Sequence, residues 1–145
     1  MVAKKEHKNL SGCPVACGLD IVGDHWTLLI IRDLMFKDIH EYKDMLAARE
    51  QISSNILTLR LKKLEQEGLV SSIPHPESKR RKLYYLTPRG KDLIYVLVSL
   101  MRWSNTHLND LLFIPKKKQK ILENNSDQFI KKTLQRLERW DKKHL

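Results

Sequence analysis

Residues 52–90 read ISSNILTLRLKKLEQEGLV and then SSIPHPESKRRKLYYLTPRG. Ser53 is suited to cap a helix, and Leu57, Leu61 and Leu64 recur at i, i+4 and i+7, so they share one face of it. Gly68 stands where a chain leaving a helix commonly turns left-handed. Two short strands follow, Leu69–Ile73 and Lys82–Leu86, joined by a loop holding Pro74, Pro76 and Ser78. Thr87-Pro88 opens another helix, a capping hydroxyl followed by the residue whose missing N–H costs nothing in the first turn. The order is helix, two-stranded ribbon with a run of cations near its tip, helix. It predicts a mostly α fold with a small two- to three-stranded antiparallel wing, the winged helix-turn-helix. In that arrangement the first of these helices enters the major groove of a duplex, and the ribbon tip reaches the phosphates or the minor groove.

The side-chain pattern agrees. With Leu57 set inward and about 100° per residue, Asn55, Thr58, Leu59, Lys62 and Gln66 fall on the opposite face, Lys63 on its flank. Asn suits a bidentate contact to adenine, Thr a hydrogen bond or a thymine methyl, and Lys a guanine or a phosphate. Ser54, Asn55, Thr58, Leu59, Lys62 and Lys63 are therefore the candidate reading-helix residues. A face that is merely solvated, with Leu59 an exposed apolar residue of no consequence, is the alternative. In the wing the candidates are Lys79, Arg80, Arg81 and Lys82, of which at least three must project to solvent; Arg81 is the one expected to enter the minor groove or bind phosphate. Charge runs are often only solvated, and position at a ribbon tip is what favours contact here.

Outward from this segment, Cys13-Pro14 opens a short helix with Val15, Leu19 and Val22 on its apolar face. Asp24 can cap a second helix from His25 to about Phe36, apolar almost all round and therefore central. Asp38 can cap a third, Ile39 to about Ala48, with Tyr42, Met45 and Leu46 inward. The long helix after Thr87 carries two apolar stripes, Leu93/Leu97/Leu100/Leu111 and Ile94/Val98/Met101/Leu108/Leu112. A small domain covers one; the other needs a further surface, most simply a partner subunit. Phe113–Lys120 reads as a connection with Pro115 and three successive lysines. A last helix, capped by Asn125 or Ser126, bears the stripe Ile130/Leu134/Leu137/Trp140. Docking of that stripe on the dimerisation helices is the plain expectation, and phosphate contact through Lys116–Lys118 the sharper one. Three regions result: a mobile basic arm (1–11), a DNA-binding and dimerisation domain (12–114), and a helical extension (115–145).

Composition sets the outer limits. The chain has 145 residues, with 27 Lys and Arg against 17 Asp and Glu, a formal charge of +10 that suits a polyanionic partner. The excess is uneven, since residues 115–145 hold ten Lys and Arg against four acids. No phosphate-cradling glycine loop, nucleophile elbow or plausible pair of acids is present, which argues against an enzyme. The N-terminus lacks a secretion-signal pattern and the apolar runs are too short to span a bilayer, so no membrane partner is expected. Two cysteines make no disulfide framework, and the six histidines have no metal spacing, so neither metal nor cofactor is expected. The expectation is a reducing, cytoplasmic protein, nucleoid-associated when bound to DNA.

With these residues in view, the chain resembles the HxlR family of transcription regulators, within the MarR-like winged-helix group. The resemblance rests on Cys13-Pro14-Val15, then on residues 26–34 (WTLLIIRDL), Ile52-Ser53, 57–61 (LTLRL), 64–70 (LEQEGLV) and 84–90 (YYLTPRG), and covers about residues 12–110. It implies a homodimer through the first helix and the long helix after Thr87, with two reading helices on a pseudo-palindromic operator in double-stranded DNA. The chain departs from the family's pattern in having Lys79-Arg80 where wing prolines are frequent, and Leu59 where a polar residue is common.

Cys13 matches the N-terminal cysteine with which several members of the family sense oxidants or electrophiles. A thiol at a helix N-terminus, near Lys4, Lys5 and Lys8, favours thiolate, the reactive form. Cys17 stands one turn on; two cysteines of one helix pair poorly with each other, so a disulfide is expected to cross the dimer. Packing of Cys13 as a small interface residue is the competing reading. A winged helix used to bind protein or RNA is the alternative for the whole chain.

Overall fold

The computed structural model describes residues 6–7 and 10–145. The helices are α1 (Pro14–Val22), α2 (Thr27–Phe36), α3 (Tyr42–Leu46) and α4 (Ser54–Gln66), then α5 (Pro88–Lys91), α6 (Ile94–His107), α7 (Lys116–Asn124) and α8 (Ser126–His144). Between α4 and α5 lies one antiparallel hairpin, β1 (Val70–His75) and β2 (Ser78–Leu86). Helices α2, α3 and α4 with this hairpin make a winged helix-turn-helix. Among the described residues no single helix is long and apolar enough to cross a membrane.

The central helix is α2, as its all-round apolar sequence predicts: Ile31, Leu34 and Met35 are sealed from solvent. Asp24 starts it by accepting from the backbone N–H groups of Trp26 and Thr27, at 2.9 and 3.0 Å, and from the Thr27 hydroxyl. Against α2 pack Met45 of α3, Leu57, Leu61 and Leu64 of α4, and Ile94, Leu97 and Val98 of α6. Burying each such side chain contributes on the order of 1.5–3 kcal/mol, so this shared core sets the angle at which α4 is presented.

Local signals set the ends of α4. The Ser53 hydroxyl accepts from the Ile56 N–H at 3.3 Å. At the other end Gly68, with φ +71°, reverses the chain, while the Leu69 N–H returns to the Leu64 carbonyl at 2.9 Å. The next start is pinned to the same corner: Thr87 donates from its N–H to the Leu69 carbonyl at 3.1 Å and from its hydroxyl to the Gly68 carbonyl.

Four expectations are corrected. The third helix is five residues long, not ten, and Asp38 does not cap it. Asp38 instead has φ +54°, and His40 beyond it is drawn onto the edge of β2, its carbonyl accepting from the Tyr84 N–H at 2.8 Å. A helix cannot begin until that edge contact is left behind. The strands run further than expected, so Pro74 and Ser78 belong to them and only Pro76-Glu77 turns. The helix after Thr87 is interrupted at Asp92-Leu93, where tighter i to i+3 bonds replace the α pattern, and it ends at His107, which leaves Leu108, Leu111 and Leu112 outside it. The lysines at 116–118 begin a helix, α7, whose Leu122 enters the core.

The extension docks on its own chain. Arg136 donates to the Met35 carbonyl at the end of α2, Phe129 packs on Phe36, and Lys91 pairs with Asp141. Trp140 stacks between the rings of His40 and His144, with Tyr85 of the hairpin beside it. The stripe Ile130/Leu134/Leu137/Trp140 therefore covers the flank formed by α2, α6 and the hairpin root.

Candidate nucleic-acid interface

Helix α4 turns Leu57, Leu61 and Leu64 inward and leaves Ser54, Asn55, Thr58, Leu59, Lys62 and Gln66 exposed. Leu59, at 62% exposure, is fully presented with the polar residues. Among the described residues nothing covers this face; α8 lies elsewhere. Three of the six reading-helix candidates have partners within the chain, Ser54 through its backbone carbonyl. The Thr58 hydroxyl is 3.0 Å from the Tyr42 hydroxyl, which also donates to the Ser54 carbonyl at 2.9 Å. Lys63 is half-buried and donates to the Asp20 carbonyl of α1 at 2.9 Å. Among the described residues, Asn55, Leu59 and Lys62 are presented outward without such a tie.

The hairpin is irregular where its cations lie. Pro74 faces Lys82 and His75 faces Ser78, so Lys79, Arg80 and Arg81 oppose nothing on β1. A bulge of this kind bends a ribbon and re-aims its side chains. Lys79, Arg80 and Lys82 are exposed, in agreement with the three expected at solvent. Arg81 is engaged within the chain. Its Nε donates to Glu41 Oε2 at 3.0 Å, its Nη2 donates to the same oxygen, and the pair ties β2 to the start of α3. The Arg81 hydrogen bonds hold the Glu41 carboxyl below its ordinary pKa, and Glu41 in turn raises that of Arg81.

Neither Glu41 nor Tyr42 stands out in the sequence as part of this surface, because each acts on residues that only folding brings near. The same holds for Asp24. Its pKa is lowered even though burial opposes ionisation, because the Thr27 hydroxyl, two backbone N–H groups and Arg60 of α4 together outweigh that penalty. The cap of α2 is thereby also an anchor for α4, through Arg60 Nε at 2.9 Å.

Cys13 is exposed at the N-cap of α1, and its pKa is lowered by the N–H groups of Ala16 and Val15. The lysines expected to help, Lys4, Lys5 and Lys8, lie outside the described residues, as does most of the basic arm. Within the arm, the His7 N–H donates to Asp20 of α1 at 2.7 Å. Cys17 is half-buried, and both thiols are free. Among the described residues no three His, Cys, Asp or Glu side chains gather as a metal would require. Apolar side chains stand exposed on α1 (Val15, Leu19) and on α6 (Tyr95, Val96, Leu100, Trp103).

A three-helix core, an uncovered polar helix and a basic hairpin beside it define a winged-helix protein. Comparison with known proteins narrows this: residues 21–111 match the HxlR-like helix-turn-helix family, and the chain belongs to it. Over 88 residues it is 34% identical to an uncharacterized HTH-type transcriptional regulator of Synechocystis sp., the match spanning 61% of this chain and 64% of that relative, less than two thirds of its length. Among solved structures, PA1607, crystallised as a candidate transcription factor, is 33% identical with a TM-score of 0.63, covering 77% of this chain and 72% of its own. The reduced form of the transcriptional regulator YodB from B. subtilis is 31% identical with a TM-score of 0.54, covering 66% and 93%.

Proposed function

We propose that this protein is a sequence-specific DNA-binding transcriptional regulator that acts as a homodimer. The observation that carries the reading is the uncovered face of α4, with Asn55, Leu59 and Lys62 outward, beside a hairpin whose bulge presents Lys79 and Arg80 and whose β2 also exposes Lys82. Lys62 and Asn55 supply base-edge chemistry, and the three hairpin cations supply phosphate contacts. Thr58 acts from its place against Tyr42, and Lys63 holds α4 to α1. Two copies joined through α1 and α6 set two reading helices on half-sites about 34–36 Å apart, or a multiple of that. The exposed Val15, Leu19, Tyr95, Val96, Leu100 and Trp103 are the apolar surface such a joint would cover.

Selection of bound sequences from a random pool of duplexes tests this reading. A recovered inverted repeat is expected. Recovery of no sequence, or displacement of the selected duplex by structured RNA at equal concentration, would leave the RNA- or protein-binding module as the better account.

Oxidant response is the second part of the proposal. Cys13 is solvent-exposed and its thiolate is favoured by two helix N–H groups, so it is placed to react first. A gel shift of the wild type and of Cys13→Ser, each with and without diamide, is the measurement. Oxidant is expected to change operator affinity only in the wild type, and an equal response from both would remove Cys13 from the mechanism.

A further inference from the structure

We propose that Glu41 is the positioning residue of the wing, one carboxylate at the start of α3 that braces both strands of the hairpin, and that Arg81 serves this brace and not a phosphate. The proposal rests on the duplex-binding reading above only in its effect on affinity; the brace itself is a property of the free chain.

The two oxygens of Glu41 reach different strands. Oε2 accepts from Nε and Nη2 of Arg81 on β2. Oε1 lies 3.4 Å from Nε2 of His75 on β1. The roles on His75 follow from its other nitrogen: Nδ1 accepts from the Glu77 N–H at 3.0 Å, so in the neutral ring the proton sits on Nε2, the nitrogen nearer Glu41. The turn backbone, one residue of each strand and the start of α3 thus form a single connected set. Glu41 stands at the N-cap of α3 yet makes no capping hydrogen bond there, so its side chain is directed to the hairpin.

The hairpin needs such a brace. Its three unopposed residues remove ladder bonds near the tip, and Pro74 has no N–H to donate. Two-stranded hairpins hold their shape poorly without outside packing. Between His75 and Arg81 stand Lys79 and Arg80, whose direction is set by how the bulge is held, and Lys82 follows Arg81 on the root side. Lys43 lies 4.0 Å from the same carboxylate but is itself exposed.

Charge alone and the brace predict opposite signs. Glu41 places a negative charge next to a surface proposed to bind phosphates, so by Coulomb repulsion its neutralisation would tighten binding. With the brace it weakens binding, because the hairpin cations lose their aim.

The experiment uses full-length protein and a duplex that the wild type recovers from a random-sequence pool, with affinity read by fluorescence anisotropy. Glu41→Gln is expected to bind about fivefold or more weakly, the loss typical of one misplaced contact. Arg81→Met is expected to behave alike, and the Glu41→Gln/Arg81→Met double variant no worse than either alone, since the two act as one unit. The exchange Glu41→Arg with Arg81→Glu is expected to recover most of the affinity. Unchanged or tighter binding by Glu41→Gln, additive losses in the double variant, or an exchange weaker than both singles would each overturn the proposal. A second readout needs no DNA: trypsin is expected to cut at residues 79–82 faster in Glu41→Gln than in the wild type at equal global stability, and equal rates would overturn the brace. Should the wild type recover no duplex at all, the regulator reading fails while the trypsin comparison still decides the brace.

Discussion

Asp24 shows how much one carboxylate does in this chain. It caps α2 through two N–H groups and a hydroxyl, and it holds Arg60 of α4. Asp24→Ala is expected to cost about 1–2 kcal/mol through the lost cap, and more where Arg60 is left without its partner; urea unfolding measures it. Its folded pKa is lowered, so the stability it contributes is complete above the ordinary carboxylate range and is lost as pH falls through the depressed value. Unfolding free energy of Asp24→Asn should therefore fall less steeply with acid than that of the wild type. On the outer surface, Lys62→Ala and Arg80→Ala are each expected to weaken operator binding by about 1–3 kcal/mol with the fold unchanged. The two differ in kind. Arg80→Ala should flatten the salt dependence of affinity on all sequences, whereas Lys62→Ala should also relax base preference at one position of each half-site. Selection repeated with each variant separates them.

At the scale of elements, the corner between α4, the hairpin and α5 is closely packed. A Cβ on Gly90 would lie 2.0 Å from the Leu69 carbonyl oxygen, a backbone atom that cannot rotate away. Gly90→Ala is accordingly expected to destabilise by about 1–3 kcal/mol, as overpacking does, and to raise protease sensitivity across the hairpin. Unaltered thermal unfolding of that variant would contradict the close approach. The same corner bears on why the helix after Thr87 is broken: its first turn is fixed against Leu69 and Gly68, while α6 must follow the core through Ile94, Leu97 and Val98. Helix α8 adds a further constraint, with Trp140 lodged between His40 and His144 beside Tyr85, so the extension also holds the root of the hairpin.

For the whole molecule, the proposed dimer would be joined through the exposed apolar side chains of α1 and α6. Leu100 and Trp103 are about half exposed in the single chain, at 49% and 55%. Leu100→Glu with Trp103→Glu is expected to give a monomer by sedimentation velocity, with operator affinity strongly reduced because two half-sites are no longer held together. A variant that still sediments as a dimer would place the joint elsewhere. The extension bears on the same question: α7 and α8 cover the flank of α2 and α6, while Tyr95, Val96, Leu100 and Trp103 of α6 stay open.

The signals legible in the chain alone are local and periodic. The cap at Ser53, the left-handed Gly68, the Thr87-Pro88 start and the inward face Leu57/Leu61/Leu64 all depend on residues no more than about four apart, and all are found where they were expected. Motif order carried the fold further, to a family that the comparisons show. Which charges find partners was settled by folding. Arg81 meets Glu41, Arg60 meets Asp24 and Lys63 meets Asp20 across separations of 36 to 43 residues, so of a run of four cations in the sequence three stand exposed and one is paired. A residue type fixes what a side chain can bond, but the approach of distant segments fixes whether a partner is there.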